Sequence, residues 1–179
     1  SPDNATVTSC DADALLHTKY FSYLAHEFLS DPLREKHIYQ GAVLFYSNIW
    51  RIPLPGRVLN TIYSISNLAI LSEHRRLINF STYSLSLATA IKAGYWAVDV
   101  IPEDYHLFFK VYFLYGEQVS TRSIFLPILV DAAEAHGFWR TMVNQYEQSK
   151  RWAWGISDIP FVIRNIFIHN EIPIWDRLR

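Results

Sequence analysis

Cysteine is almost absent from this sequence, with only Cys10 among 179 residues. A lone cysteine cannot form a disulfide within the chain or supply the several thiolates of a structural zinc site. The 7 histidines offer no replacement, because no two of them stand at H-x-x-x-H or similar spacing. The sequence therefore argues against a dedicated zinc site and fits a reducing compartment.

Charge is also scarce, with 18% charged residues and a formal net charge of −1. No block of Lys and Arg is present, so the electrostatic footprint of a nucleic-acid-binding protein is missing. Hydrophobic residues make up 50% of the chain and aromatic residues 16%. This composition supports the core of one domain and also large apolar surfaces that meet a membrane or a partner segment.

Long apolar runs are absent as well. No window reaches the roughly 18 uninterrupted apolar residues of a membrane span, and residues 1–4 lack the basic start and apolar stretch of a signal peptide. The sequence contains no G-x-S-x-G, P-loop or dinucleotide-binding fingerprint.

The segments that are present alternate between strand and helix patterns, which predicts one compact α/β unit. Short apolar runs predict strands at 7–10, 40–46, 77–80 and 124–126. Ser81 or Thr82 is expected to cap a helix that runs to Ala93, although residues 81–84 could instead line a cleft. A further amphipathic helix is predicted, with its apolar face packed on the domain or, alternatively, on a membrane surface; its apolar stripe is Val58, Leu59, Ile62, Ile65, Leu68 and Ala69.

A pair of acids, Glu103 and Asp104, stands at the predicted start of a helix. Pro102 suits a first helical turn, and Gly116 is expected to end the helix. The helix dipole favours an ionised carboxylate at this end, so Asp104 is a candidate general base. The alternative is an ordinary acidic first turn. His106 lies two positions later and is expected to be a surface or supporting residue rather than a catalyst.

Two more acids, Asp11 and Asp13, follow the first predicted strand. Open α/β sheets place their ligands at the carboxyl ends of strands. With one residue between them, both carboxylates can reach a single hard cation, which can be shared with a diphosphate. A D-x-D sequence alone is also found in many turns.

The last long predicted helix, residues 138–155, carries a polar and aromatic face. Gln148, Arg151 and Trp152 have i, i+3, i+4 spacing and so project from one side. Arg binds phosphate oxygens, Trp stacks on the apolar face of a sugar, and Gln bonds a hydroxyl. The alternative is an Arg paired with a carboxylate beside a packed Trp.

Taken in order, these three motifs resemble those of the processive family 2 glycosyltransferases, which include the cellulose, chitin and hyaluronan synthases. That family has a D-x-D after a strand, an E-D pair that starts a helix, and a Q-x-x-R-W helix. The sequence Gln40-Gly41-Ala42 is similar to a Gln-containing strand of the family, and residues 151–155 are similar to its R-W-A-x-G. The resemblance covers residues 7 to 160.

The resemblance implies a role for each motif in inverting transfer from a nucleotide-diphosphate sugar, a UDP-sugar, to a glycan acceptor. Asp13, with Asp11 beside it, would hold Mg²⁺ or Mn²⁺ on the diphosphate. Asp104 would be the general base, with Glu103 as its neighbour in the motif. The acceptor and the leaving group would be held by Gln148, Trp152 and Arg151.

The resemblance also implies an α/β fold: a partial GT-A-type fold, a mixed sheet flanked by helices, without the amino-terminal half that binds the nucleotide. Residues 1–160 would be the acceptor-side part of the catalytic domain, and 161–179 an amphipathic tail for a membrane interface. The full-length enzyme is then expected to be an integral membrane protein with this domain on the cytoplasmic face. This chain alone is expected to be inactive.

Two other functions remain open from the residues. One is a non-catalytic scaffold or interaction module that keeps the fold and binds a partner through its aromatic surface. The other is a metal-dependent phosphohydrolase that uses Asp11 and Asp13, which leaves the Gln148 to Trp152 helix without a role.

Overall fold

The computed structural model describes residues 2–73 and 77–169. Within them, five strands and six α-helices form a mixed α/β fold. The strands are β1 (Thr6–Ser9), β2 (Leu15–Leu16), β3 (His37–Leu44), β4 (Tyr83–Ser86) and β5 (Ser120–Leu129). The helices are α1 (Tyr20–Ser30), α2 (Leu54–Leu71), α3 (Leu87–Lys92), α4 (Glu103–Tyr115), α5 (Phe138–Ala153) and α6 (Ile159–Ile168).

The strands form one mixed sheet in the order β1-β4-β3-β5-β2. β3 and β5 are parallel, whereas β4 is antiparallel to both β1 and β3. β1, β3 and β5 therefore run in the same direction, and their carboxyl ends lie at one edge of the sheet. The start of β4 lies at that edge too.

Helices cover both faces of the sheet. On one face, Tyr20, Leu24 and Phe28 of α1 pack against β3 and β5. On the other, Leu107 and Val111 of α4 pack with α3 against β3 and β4. Burial of each such side chain contributes roughly 1.5–3 kcal/mol. The mixed sheet flanked by helices confirms the fold class expected from the sequence.

The predicted strand at 77–80 is wrong, and so is the helix predicted from residue 81. Residues 77–80 are irregular, β4 occupies Tyr83–Ser86, and α3 begins only at Leu87. The side chain of Gln40 explains the first error, because its Oε1 accepts the Phe80 N–H, at 2.9 Å, in place of a strand partner. Pairing with strands on both sides explains the second, because it overrides the local preference of a Ser-rich segment.

α2 is inverted relative to the prediction that its apolar stripe packs on the domain. Val58, Ile62 and Ile65 are 55%, 53% and 59% exposed, whereas Gly56, Asn60 and Ser64 are buried. The small and polar residues occupy the inner face because they take part in hydrogen bonds there. Asn60 Nδ2 donates to Gln145 of α5 at 3.3 Å, and Ser64 Oγ accepts the Phe45 N–H at 2.9 Å.

The segment predicted as an interfacial tail begins within α6. Ile159, Ile163 and Phe167 lie on the exposed surface of this helix, and residues 170–179 are outside the described part of the chain. Among the described residues, no helix combines the length and apolar character needed to cross a bilayer.

Candidate active site

A cavity of about 600 Å³ opens at the sheet edge where β1, β3 and β5 end. Its walls come from the segments after β1 and β5, the inner face of α2, the start of α4 and the end of α5. All seven site residues predicted from the sequence line it, namely Asp11, Asp13, Glu103, Asp104, Gln148, Arg151 and Trp152. Asp11 and Trp152, which are 141 positions apart in the chain (152 − 11), therefore line the same cavity.

Asp104 stands in the first turn of α4 and is partly buried. Its Oδ2 accepts the Ser81 N–H at 2.7 Å, and its carbonyl accepts a hydrogen bond from Asn79 Nδ2 at 3.0 Å. Burial raises the pKa of Asp104 to about 6, against the opposing effect of hydrogen bonds from Ser81 and Tyr83. The negative charges of Glu103 and Asp11 contribute a smaller part of this rise in pKa. Such a carboxylate suits proton abstraction near neutral pH.

Asp11 and Asp13 lie in the turn after β1, exposed to the cavity. The Ser81 hydroxyl donates to Asp11 Oδ2, and the Asp131 N–H donates to Asp13 Oδ2 at 3.1 Å. Carboxylate oxygens are the ligands that Mg²⁺ and Mn²⁺ prefer, so this pair fits such a cation. In the described part of the chain, no set of three or more His, Cys, Asp or Glu is placed to hold a metal. The pair would therefore need further oxygens from water or a phosphate.

Gln148, Arg151 and Trp152 share the cavity-facing side of α5. The Trp152 ring packs against Phe45 and Tyr63, with centroids 5.7 and 5.3 Å away, and remains 44% exposed. Arg151 forms no ion pair with any residue in 2–73 or 77–169. The side chain is exposed and lines the cavity, where the phosphate-binding interpretation expects it.

The turn after α5 is pressed against α4. A Cβ on Gly155 would come within 3.2 Å of the Tyr105 ring, so a glycine permits this close approach. Beyond it, His106 Nδ1 lies 2.7 Å from Oδ1 of the buried Asp158. His106 therefore joins two elements of the site and does not line the cavity, in keeping with the supporting role expected for it.

The sequence interpretation missed several cavity residues. Asp131 follows β5 as Asp11 follows β1, so the same strand-end rule could have found it. Tyr63 and Asn67 lie on the inner face of α2, and no sequence signal marked them because the other face was expected to be buried.

Charge in the cavity is strongly unbalanced. Among the residues that the structure describes, five carboxylates and one guanidinium, that of Arg151, line it; the acids are Asp11, Asp13, Glu103, Asp104 and Asp131. A diphosphate would be repelled by these walls unless a cation came with it.

Comparison with known families matches residues 6–178 to a model described as "Glycosyl transferase family group 2". A search of curated proteins gave no significant match.

Proposed function

This chain belongs to glycosyl transferase family group 2, and we propose that it performs inverting transfer of a sugar from a UDP-sugar to a glycan acceptor, with Asp104 as general base. Its mixed sheet flanked by helices is consistent with a GT-A-like fold. Members of the family use a nucleotide-sugar donor and a glycan acceptor. One observation carries the proposal: the three motifs lie around a single cavity.

The reaction is a single displacement at the anomeric carbon. The acceptor hydroxyl oxygen forms a bond to that carbon while the bond from the carbon to the diphosphate oxygen breaks. Asp104 takes the hydroxyl proton, and a pKa of about 6 leaves it largely ionised at neutral pH. Attack from the face opposite the leaving group inverts the configuration.

The other motifs divide the remaining work. Asp11 and Asp13 would hold Mg²⁺ or Mn²⁺, which neutralises diphosphate charge when bound. Arg151 binds the departing phosphate oxygens. The acceptor sugar rests on the exposed ring of Trp152 and bonds to the Gln148 amide. Glu103, beside the base, keeps acidic charge next to Asp104.

The direct test is Asp104→Asn in the full-length enzyme. We expect transfer to fall at least 100-fold, roughly the contribution of a general base, while nucleotide-sugar binding stays near wild type in calorimetry. Glu147→Gln, an exposed acid on α5 outside the cavity lining, is the matched control. Unchanged turnover in Asp104→Asn would exclude Asp104 as the base.

The finer assignment is to the processive synthases, with residues 1–160 as the acceptor-side part of the catalytic domain. It is supported by the Q-x-x-R-W residues at the cavity. In this assignment the nucleotide base is bound by residues outside this chain. The isolated chain is then inactive, and the full-length enzyme releases long polymers. Turnover by residues 1–179 alone, or release of single-sugar products, would contradict it.

Membrane association is the second part of the proposal, with the domain on the cytoplasmic face. The outer face of α2 is apolar, and no acidic residue occurs from 50 to 72. At its start Trp50 is 80% exposed, and the Arg57 guanidinium lies 5.4 Å from the Trp50 ring. An apolar face with Trp and Arg at one end suits an anionic bilayer surface.

A vesicle assay tests this surface. Ile62→Glu should reduce co-sedimentation with phosphatidylserine-containing vesicles at least 5-fold, because it places a charge in the apolar face. Ile91→Glu, on an exposed position of α3, should have no effect. Equal loss of vesicle binding in both variants would contradict a specific lipid face. So would a dimerisation of the wild type that depends on concentration and is abolished by Ile62→Glu.

A non-catalytic scaffold is the alternative function, favoured by the extent of exposed apolar surface. It predicts no metal-dependent binding of uridine nucleotides. Titration of UDP into the longest natural chain, with and without Mn²⁺, separates the two.

A further inference from the structure

Residues 79–82, here called the bracket, connect α4, which carries the proposed base, to the rest of the cavity wall. Asn79 Nδ2 donates to the Asp104 carbonyl at 3.0 Å, and the Ser81 N–H donates to Asp104 Oδ2 at 2.7 Å. The bracket thus fixes both the main chain and the carboxylate of the proposed base.

The same segment also contacts the first acid of the D-x-D motif. The Ser81 hydroxyl donates to Asp11 Oδ2, and Thr82 Oγ1 accepts the Asp11 N–H at 3.3 Å. Ser81 therefore bonds two carboxylates from distant parts of the chain, one through its hydroxyl and the other through its main-chain N–H.

The bracket is itself anchored to the central strand. Gln40 of β3 is fully buried, and its Oε1 accepts the Phe80 N–H at 2.9 Å. Its Nε2 donates to the Thr82 carbonyl at 3.1 Å. Because both neighbours of Ser81 are held by one rigid side chain, Ser81 has little freedom to move relative to the sheet.

The backbone of Ser81 is unusual, with φ at 57° in the left-handed region. Glycine adopts this region without steric cost, whereas a serine does not. A serine is thus a costly choice here unless its hydroxyl does something that glycine cannot do. The hydroxyl's partner is Asp11.

We propose that Ser81 is a positioning residue that sets the placement of the cation-holding carboxylate Asp11 relative to the base Asp104. The inference rests on the proposed function. Because the hydroxyl donates to Asp11 Oδ2, the other carboxylate oxygen, Oδ1, is the one left to bind a cation. By donating its N–H to Asp104 Oδ2, the same residue holds the base at a fixed position relative to Asp11.

The experiment measures Mn²⁺ binding to the full-length protein by electron paramagnetic resonance, without substrate. Ser81→Ala and Ser81→Gly both remove the hydroxyl, and glycine also relieves the backbone strain. Both should bind Mn²⁺ about 10-fold more weakly, the usual effect of losing a partner that orients a metal ligand. Ser72→Ala, which removes an exposed hydroxyl at the end of α2, should bind Mn²⁺ as the wild type does.

Transfer kinetics provide the second readout. At saturating Mn²⁺, the two Ser81 variants should regain most of their kcat, because the base still accepts the Ser81 N–H. Thermal melting should show Ser81→Gly at least as stable as Ser81→Ala, since glycine suits the left-handed backbone.

Wild-type Mn²⁺ affinity in both variants would overturn the role of Ser81 and leave the proposed function standing. Weak binding in Ser81→Ala but not in Ser81→Gly would overturn it too, because backbone strain and not the hydroxyl would then be responsible. No Mn²⁺ binding by the wild type would instead contradict the cation in the proposed function, and with it the Ser81 proposal.

Discussion

Asp104 shows how a few neighbours set the chemistry of one side chain. Burial and the charges of Glu103 and Asp11 disfavour its ionised form, while the Ser81 N–H favours it. Burial is the larger effect, so the pKa rises to about 6 from an ordinary value of 3.8. The protein therefore carries an ionised carboxylate at neutral pH at some cost in stability.

That cost predicts a pH-dependent gain from Asp104→Asn. Because the folded pKa is above the unfolded one, protonated Asp104 stabilises the fold below pH 3.8, and this contribution is lost as pH rises through about 6. At pH 7.5 the asparagine variant should be more stable than wild type by about 1–2 kcal/mol. At pH 5 the difference should shrink.

Urea unfolding at the two pH values, without divalent cations, measures the difference. Asp99→Asn, an acid outside the cavity lining, controls for a general effect of net charge. A gain from Asp104→Asn that is equal at pH 5 and pH 7.5 would show that burial of the charge is not the cause.

A buried pair of side chains, His106 and Asp158, joins α4 to the turn before α6. His106 Nδ1 and Asp158 Oδ1 are 2.7 Å apart, and Asp158 Oδ2 is buried with no hydrogen-bond partner within 2–73 and 77–169. The Phe161 ring packs against the His106 ring at a tilt of 48°, with centroids 4.3 Å apart. His106 is thus the side chain that hydrogen-bonds the buried carboxylate of Asp158 and offsets the cost of burying it.

His106→Ala should therefore destabilise the protein by about 3 kcal/mol, because it leaves a buried carboxylate unpaired. Chemical denaturation measures the loss, and His26→Ala, at an exposed histidine of α1, should cost less than about 0.5 kcal/mol. A loss of the same size in both variants would argue that the His106 to Asp158 pair is not a significant stabilising contact.

At the scale of elements, sequence patterns predicted the existence of helices better than their orientation. The periodicity of α2 was visible, but its apolar face turned outward because Gly56, Asn60 and Ser64 make specific contacts with α5 and β3. Such contacts depend on residues far away in sequence, such as Gln145, and no local pattern contains them.

The candidate site was predicted more fully, because its residues sit at element ends. Asp11 follows a strand, Asp104 starts a helix, and Arg151 lies on the polar face of another, so short motifs marked each one. Ser81 was predicted only as a helix cap or as one of residues 81–84 that could line a cleft, without the contacts it makes. Its contacts arise from the antiparallel placement of β4, and residues 77–80 were expected to form a strand instead.

For the whole molecule, the acidic cavity predicts that cation and nucleotide bind together. Its described lining holds five carboxylates and one arginine, so each ligand should relieve the repulsion that opposes the other. Mn²⁺ and UDP together should raise the melting temperature of the full-length protein by more than the sum of their separate effects. Ligand at 100 times its Kd contributes about 2.7 kcal/mol.

Differential scanning fluorimetry measures these melting temperatures in buffer freed of Ca²⁺, with Mn²⁺ added last. Asp13→Asn should abolish the extra shift, whereas Asp99→Asn, at an exposed acid outside the cavity lining, should keep it. Strictly additive shifts in the wild type would contradict a cation shared with the diphosphate.

The parallel pairing of β3 with β5 has a consequence for biosynthesis. His37 pairs with Ser120, and the strands that close the cavity are thus joined only after some eighty intervening residues have been made, since 120 − 37 = 83. Loop closure over such a length is slow, and Arg151 is translated later still. A nascent polypeptide on the ribosome should consequently have no complete cavity until nearly all of this region has emerged.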